Sequence, residues 1–365
     1  MQATFQTNTA STVISDDIWG GRRLINELQA KARAVLDPLI PENASVALLD
    51  YPNNSNVGDS LIWLGEIAYL ESRKIPVRYV SDLHNHNSQS LREVLGKSTV
   101  ILMHGGGNFG TLWPHEQAFR LQVLKDFAGV SVIQMPQSIH FNNDRVLDKT
   151  KQAIRQHGNF TLLVRDQPSY DFASSQFDCK VSLCPDMAFF IGPIESNKHP
   201  GYDRFILSRT DHEKSNNWID DLPRLGSAVS IDVNDWLDQG ISERLLNRIQ
   251  RHTSNLRLQM DPSNTGVLKL WNVLAQARLA RGKALLERGQ VVISDRLHVH
   301  ILSILLNKPH ILIDNNYGKL GNLHKAWTTS FEGVKFVGSL EDALTSANEF
   351  NERMRRANIS GRASI

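Results

Sequence analysis

Cysteine is nearly absent: Cys179 and Cys184 are the only 2 in 365 residues. One pair separated by four residues makes neither a disulfide framework nor a four-ligand zinc site, so both read as reduced, packed thiols of a cytosolic protein. Long apolar runs are missing too. None approaches the roughly 20 residues a membrane span needs, and the opening MQATFQTNTASTVISDD is polar and acidic, unlike a secretory signal. The expectation is a cytoplasmic chain without a span, which leaves peripheral work at the inner face of a membrane open. A charge excess of one sign is also lacking, with 40 Lys and Arg against 38 Asp and Glu, which excludes the broad basic field of a nucleic-acid binder. Any anion recognition must be local.

What is present is a repeated alternation of short apolar runs with longer stretches of helical period, the pattern of parallel βαβ units. A chain of 365 residues fits two α/β domains of about 150 to 200 residues each. In the first half, strands are expected at Ser45–Leu49, Val77–Val80, Thr99–Met103, Ser131–Met135, Phe160–Val164 and Val181–Leu183. In the second they are expected at Arg204–Leu207, Ala228–Ile231, Gln290–Ile293, His310–Ile313 and Val334–Val337, with a long helical region from about Ser242 to Arg288. The polar Pro/Gly segment Gly192–Gly201 reads as a linker, giving an N-terminal Rossmann-like domain over 1–192, a linker over 193–202 and a C-terminal Rossmann-like domain over 203–365. The charged, amphipathic terminal helix, Leu340–Ala357, could pack back on the first domain. Two doubly wound domains facing each other place their strand C-termini at a shared cleft.

The unusual residues fall at those strand ends. Val291–Ser294 runs directly into Asp295-Arg296-Leu297-His298 and an apolar helix. A fixed cation and a titratable imidazole thereby sit in a first helical turn, where backbone N–H groups also favour anions. After the third strand, His104-Gly105-Gly106-Gly107-Asn108-Phe109-Gly110 lets backbone approach a ligand without Cβ interference, or makes a sharp packing turn. It is not a dinucleotide fingerprint, because it falls late in the domain and the next strand ends in Gln134-Met135-Pro136-Gln137 without an acidic residue for a ribose. The chain has no Gly-x-Ser-x-Gly elbow, and Thr111 stands where a P-loop has lysine. The first strand leads into Asp50–Ser60, where Asp59 or Ser60 can cap the following helix. Asn53 and Asn56 offer amides suited to a polyhydroxylated ligand. Arg165, Arg209 and Arg296 terminate three separate strands. Each could be a surface ion pair, but guanidinium groups at three strand ends suit carboxylate and phosphate.

The ordered set Asn56-Val57-Gly58-Asp59, Gly105-Gly106-Gly107, Gln137-Ser138-Ile139, Val164-Arg165-Asp166, Pro185-Asp186-Met187-Ala188, Arg296-Leu297-His298 and the late Lys319 resembles the polysaccharide pyruvyl transferases. The resemblance spans about residues 45 to 325. One departure is His140-Phe141, where family members often continue with Gly-Pro. The resemblance implies a fold like the two-domain glycosyltransferase type B and phosphoenolpyruvate as co-substrate, with no further cofactor and no metal. It also implies transfer of the enolpyruvyl carbon to two hydroxyls of a sugar in an exopolysaccharide or surface glycan, giving a cyclic pyruvate ketal and phosphate. By carry-over, His298 and Arg296 are the catalytic candidates, and Arg165, Arg209, Arg296 and Lys319 bind the donor. Asn53, Asn56, Asp59, Gly105, Gly106, Gly107, Asn108 and Gln137 shape the acceptor side. The acceptor could be lipid-linked and the enzyme a homo-oligomer. A nucleotide-sugar glycosyltransferase of the same fold, or a non-catalytic glycan-binding subunit of an export complex, are the alternatives.

The helix N-terminus and Arg296 disfavour an imidazolium at 298, so donor binding is expected to switch that histidine on. His300 is excluded from any site that His298 occupies, since residues two apart on a helix point about 200° apart; it reads as a polar-face residue. His84 and His86 read as solvated loop residues without the spacing of a metal site. Trp63, Trp113 and Trp327 could stack on sugar faces, or simply pack.

Overall fold

The apolar run Thr99–Met103 is buried at every position, as a strand covered by helices on both faces must be. It lies in a sheet of seven parallel strands: β1 (Ser45–Leu49), β2 (Val77–Ser81), β3 (Thr99–Met103), β4 (Gly106–Gly110), β5 (Val132–His140), β6 (Phe160–Val164) and β7 (Lys180–Leu183). The second sheet holds β8 (Tyr202–Leu207), β9 (Ile231–Asn234), β10 (Gly289–Ser294), β11 (His310–Ile313) and β12 (Val334–Val337). The structure is a computed structural model that describes residues 17–196, 198–208, 231–234, 236, 265–314 and 318–362.

Strand order is β2-β1-β3-β5-β6-β7 in the first sheet, with β4 beside β5, and β12-β11-β10-β8-β9 in the second. Each is a doubly wound, Rossmann-like arrangement with one reversal of direction, between β1 and β3 and between β8 and β10. Ligands bind at such reversals because the connections leave on opposite faces and open a crevice at the strand C-termini. The expected strands are present in place. The one expected at Ala228–Ile231 is Ile231–Asn234, residues 228–230 lying outside the described residues. β4 was not expected: the glycine stretch pairs with β5 through its backbone, which leaves no side-chain signature.

The helices are α1 (Gly21–Leu36), α2 (Val57–Ser72), α3 (Ser88–Val94), α4 (Pro114–Asp126), α5 (Asp144–His157) and α6 (Gln167–Gln176), then α7 (Thr265–Leu286), α8 (Leu297–Leu305), α9 (Lys319–Leu323) and α10 (Leu340–Arg362). α2 is apolar almost all round because it is packed on several sides, by α7, α8 and the 3₁₀ turn Met187–Ile191. Gly65 makes that possible: a Cβ there would fall 1.8 Å from the carbonyl oxygen of Met187. Two helices dock away from their neighbours in sequence. α1 buries Leu24, Ile25 and Leu28 with Val291 and Ile293 of the second sheet. α7 carries Val267, Trp271 and Leu274 into the core of the first. Helix α7 corresponds to the expected helical region after Ser242, of which 242–264 lies outside the described residues.

The terminal helix departs from expectation. α10 does not pack back on the first sheet but covers β10, β11 and β12, where Ala343, Ala347 and Phe350 join the second core. The cysteines are unpaired with each other, Cys184 buried and Cys179 partly so. No helix among the described residues is long and apolar enough to cross a membrane.

Candidate active site

The loop after β1 begins with Asp50, whose φ of 69° is left-handed, a conformation that asparagine and aspartate tolerate better than most residues. Stacked aromatic packing of Tyr51 on Trp271, with ring centroids 4.2 Å apart, pins the loop to α7. Arg281 adds a hydrogen bond from Nη2 to the Ser55 carbonyl at 2.5 Å. The cap of α2 is Asn56, not Asp59 or Ser60: its Oδ1 accepts from the Gly58 N–H at 2.9 Å and from Trp236 Nε1 at 3.1 Å. Asp59 instead accepts from the side-chain amides of Asn54 and Asn56, each at 3.1 Å. Asn53 donates to Asp82 at 3.0 Å. The asparagines thus shape the loop as well as line it.

The glycine segment is held from behind. Gln137 accepts from the Asn108 N–H at 3.1 Å and donates to Asn108 Oδ1 at 2.8 Å and to the His104 carbonyl at 3.0 Å. Arg120, fully buried, donates from Nη2 to Asn108 Oδ1 at 2.8 Å and lies over the Phe109 ring. Burial brings its guanidinium down to about 10, against the opposing charges of Asp50 and Glu116. Where the family often has Gly-Pro, Phe141 fills an aromatic cluster with Phe109, Phe172 and Phe177.

At the ends of β6 and β7 stands a buried ion pair, Arg165 Nη1 to Asp186 Oδ2 at 2.6 Å. Arg165 Nε also donates to Ser138 Oγ at 3.0 Å, and Ser138 donates to Asp166 at 2.6 Å. Its Nη2 lies against Gly107, where a Cβ would be 3.2 Å away. The second sheet brings His298 to the same carboxylate, Nε2 at 3.6 Å from Asp186 Oδ2. Burial alone would raise the Asp186 carboxyl. The close approach of the His298 ring and the charge of Arg165 overcome that and hold it well below the usual carboxylate range. The expectation for His298 counted only cations around it; Asp186 supplies the opposite charge.

One cavity of about 420 Å³ gathers these elements, lined from the first sheet by Asp50–Asn56, Asp59, His104, Gly105, Gly107, Asn108 and Arg165 and from the second by Arg296, Leu297, His298 and Lys319. Asp82, His84, Trp113, Glu116 and Trp236 also border it. Of the expected site residues, Gly106 and the fully buried Gln137 are not on its wall, and Gln137 acts through Asn108. Arg209 lies outside the described residues. Of the three tryptophans considered, Trp63 is buried in the core and Trp327 donates to the Arg165 carbonyl at 2.8 Å. Trp113 is partly exposed at the cavity.

Two histidine expectations need correction. His300 is fully buried rather than on a polar face, hydrogen-bonded to His310 at 2.6 Å and to Thr328 at 2.8 Å. It is not among the residues that line the cavity. His86 is not solvated: it bonds Ser81 and Ser88 between the rings of Tyr79, Phe119 and Phe127, and burial depresses it to about 4. Among the described residues no group of three or more His, Cys, Asp or Glu could hold a metal ion. Sequence reasoning missed Asp186 as a site residue, although it stands in a quoted motif. It also missed Asp50 and the Glu66–His104 pair, whose members are 38 residues apart.

The model of the polysaccharide pyruvyl transferase family matches residues 56–317. Pyruvyl transferase 1 of Schizosaccharomyces pombe is 32% identical over 327 residues, covering 84% of this chain and 76% of its own. EpsO of Bacillus subtilis, provisionally named a pyruvyl transferase, is 30% identical over 322 residues, covering 88% of this chain and 96% of its own. The crystal structure of an uncharacterized Klebsiella pneumoniae protein superposes with a TM-score of 0.54 at 19% identity, over 85% of this chain and 98% of that one, a likeness of fold. With the family model covering most of both sheets and the motifs gathered around one cavity, this chain belongs to the polysaccharide pyruvyl transferase family.

Proposed function

We propose that the cavity binds phosphoenolpyruvate and transfers its three-carbon unit to two hydroxyls of a sugar, forming a cyclic pyruvate ketal and releasing phosphate. The observation that carries this reading is that Arg165 from the first sheet and Arg296 and Lys319 from the second line one cavity. Phosphoenolpyruvate carries a carboxylate and a phosphate, and guanidinium groups bind both through paired, charge-assisted hydrogen bonds.

The reaction must deliver one proton to the methylene carbon and remove two from the acceptor hydroxyls. The first hydroxyl adds to C2 as C3 is protonated, its own proton replacing the one given to C3; the C2–O bond to phosphate then breaks, and the second hydroxyl closes the ketal as its proton leaves with phosphate. His298, with Asp186 at 3.6 Å to balance an imidazolium, is the proton carrier in this reading, and Arg296 clamps the donor. The acceptor wall, with its asparagines and Trp113, suits an uncharged polyhydroxylated ring, which we assign to a sugar of an exopolysaccharide or related surface glycan. A lipid-linked acceptor would bring a cytoplasmic enzyme to the inner membrane face.

Calorimetry of the purified chain with phosphoenolpyruvate and with nucleotide sugars tests the assignment. Saturable binding of phosphoenolpyruvate and acceptor-dependent phosphate release are expected, and binding of nucleotide sugars alone would sink it. Phosphate release left intact by His298→Ala would remove His298 from its role.

A further inference from the structure

The reading above uses Arg165, Arg296 and His298 and leaves unused a buried acid–base group that lines the same cavity. β1 and β3 are the strands that flank the reversal in the first sheet, and Leu49 is in register with Met103. Asp50 and His104 are therefore next in line on neighbouring strands, which run about 4.8 Å apart. Both line the cavity, and they are 6% and 3% exposed. Each carries one buried polar atom with no hydrogen-bond partner among the described residues, Asp50 Oδ2 and His104 Nε2. Folded proteins rarely leave such atoms unsatisfied, because a buried polar atom without a partner has lost its hydration for nothing. Two together at a strand-order reversal point to a ligand that donates twice.

The support behind His104 fixes its chemistry. Glu66, fully buried on α2, accepts the Gly105 N–H on Oε1 at 2.9 Å and faces His104 Nδ1 with Oε2 at 2.9 Å. A carboxylate only accepts, so Nδ1 carries the proton and the neutral ring keeps its lone pair on Nε2. This is the orienting logic by which a carboxylate turns a histidine into a base for a hydroxyl. Burial pushes the Asp50 carboxyl up to about 6, against the charges of Arg120 and His104, with Glu116 adding to the rise. Burial also opposes an imidazolium at His104, but Glu66, Asp50 and Asp59 outweigh it. The Asp50 carboxyl thus changes protonation near the range of general acid–base work, and His104 is a stronger base than a free imidazole.

We infer that Asp50 and His104 form the acceptor diol site: His104 Nε2 takes the proton of the attacking hydroxyl as its oxygen bonds to C2, Asp50 accepts a hydrogen bond from the second hydroxyl, and Glu66 positions His104. The inference rests on the donor reading above.

The test compares the full chain with His104→Gln, Glu66→Gln and Asp50→Asn, measuring phosphoenolpyruvate Kd by calorimetry. Turnover is followed against pH, with the methyl glycosides of galactose, glucose and mannose as acceptor probes. His104→Gln is expected to lower kcat by about 100-fold or more and to abolish the acid limb of the kcat profile, with phosphoenolpyruvate Kd little changed. Glu66→Gln should keep the fold and move that limb to lower pH, because the lost carboxylate had favoured the imidazolium. It carries the test if His104→Gln does not fold. Asp50→Asn should raise the acceptor KM more than the donor Kd. An unaltered acid limb in both His104→Gln and Glu66→Gln, with the wild type turning over, overturns the diol site while sparing the donor reading. No binding of phosphoenolpyruvate by the wild type overturns both.

Discussion

Gly58 lies against the imidazole of His298 so closely that a methyl group on its Cα would fall 2.4 Å from Nδ1. The first turn of α2, from the first half of the chain, thereby sets where a side chain of the second half stands. To make room, the ring would have to leave its present place beside Asp186. Gly58→Ala should therefore lower kcat by about 100-fold, the scale of a 1 Å misplacement. The helix itself gains a little from alanine, so melting temperature should fall far less than activity. Unchanged kcat would show that the contact does not set the position of His298.

Asp186 is the shared counter-charge of Arg165 and His298. Asp186→Asn keeps its shape but leaves the 4% exposed Arg165 side chain without compensation, a change that costs about 3–5 kcal/mol in buried pairs. A matching loss in unfolding free energy is expected in urea titration at neutral pH. The wild-type contribution belongs to a carboxyl depressed on folding, so it is present above the ordinary carboxylate range and lost as pH falls through the folded value. The two proteins should then converge in stability toward acid. A gap that stays constant with pH would refute the assignment.

His300, His310, His324 and Thr328 make one hydrogen-bonded chain: His310 Nδ1 to the Lys308 carbonyl at 3.0 Å, His300 Nδ1 to His310 Nε2 at 2.6 Å, and Thr328 Oγ1 to both His300 Nε2 and His324 Nδ1 at 2.8 and 2.9 Å. With all three rings neutral, every bond in the chain has one donor and one acceptor. Burial depresses all three, His310 to about 4. The unfolded chain takes up protons below about 6.5 that the folded one refuses, so stability falls as pH drops from there. His310 alone should cost on the order of 3 kcal/mol by pH 4. Melting temperature measured from pH 7 to 4.5 should fall more steeply in the wild type than in His310→Asn. Parallel curves would contradict the account.

The short, largely apolar runs at 45–49, 99–103 and 160–164 made the first sheet legible, because strands buried on both faces must be apolar almost throughout. β4 was hidden, since its pairing with β5 uses backbone groups that every residue carries. Arg165, Arg296 and His298 could be read as strand-end residues without knowing which partner each would meet. Asp186 was in plain view, but its place between Arg165 and His298 depends on how the two sheets face each other. Glu66 reads as one acid on an apolar helix; its meaning comes from His104, 38 residues on. His86 and His300 were misread because local polarity in sequence does not report what a neighbouring element covers.

Arg296 is the N-cap of α8, with its backbone N–H held by Ser294 Oγ at 3.2 Å, so its side chain can be changed without breaking the start of the helix. Its guanidinium reaches the cavity wall together with Lys319. A planar guanidinium meets a carboxylate or phosphate with two parallel donors, whereas an ammonium offers a mobile point charge. If Arg296 clamps phosphoenolpyruvate, Arg296→Lys retains the charge and loses the paired geometry. One charge-assisted hydrogen bond is worth about 1.5–3 kcal/mol, so the phosphoenolpyruvate Kd should rise about 10- to 100-fold. Melting temperature without ligand separates any structural cost of the change from the loss of binding. Lys319→Met removes a charge without that pairing and should weaken binding less, with a steeper loss at low salt. Calorimetric Kd values for both variants at two ionic strengths decide the matter. Equal affinities for wild type and Arg296→Lys would place the donor away from this helix.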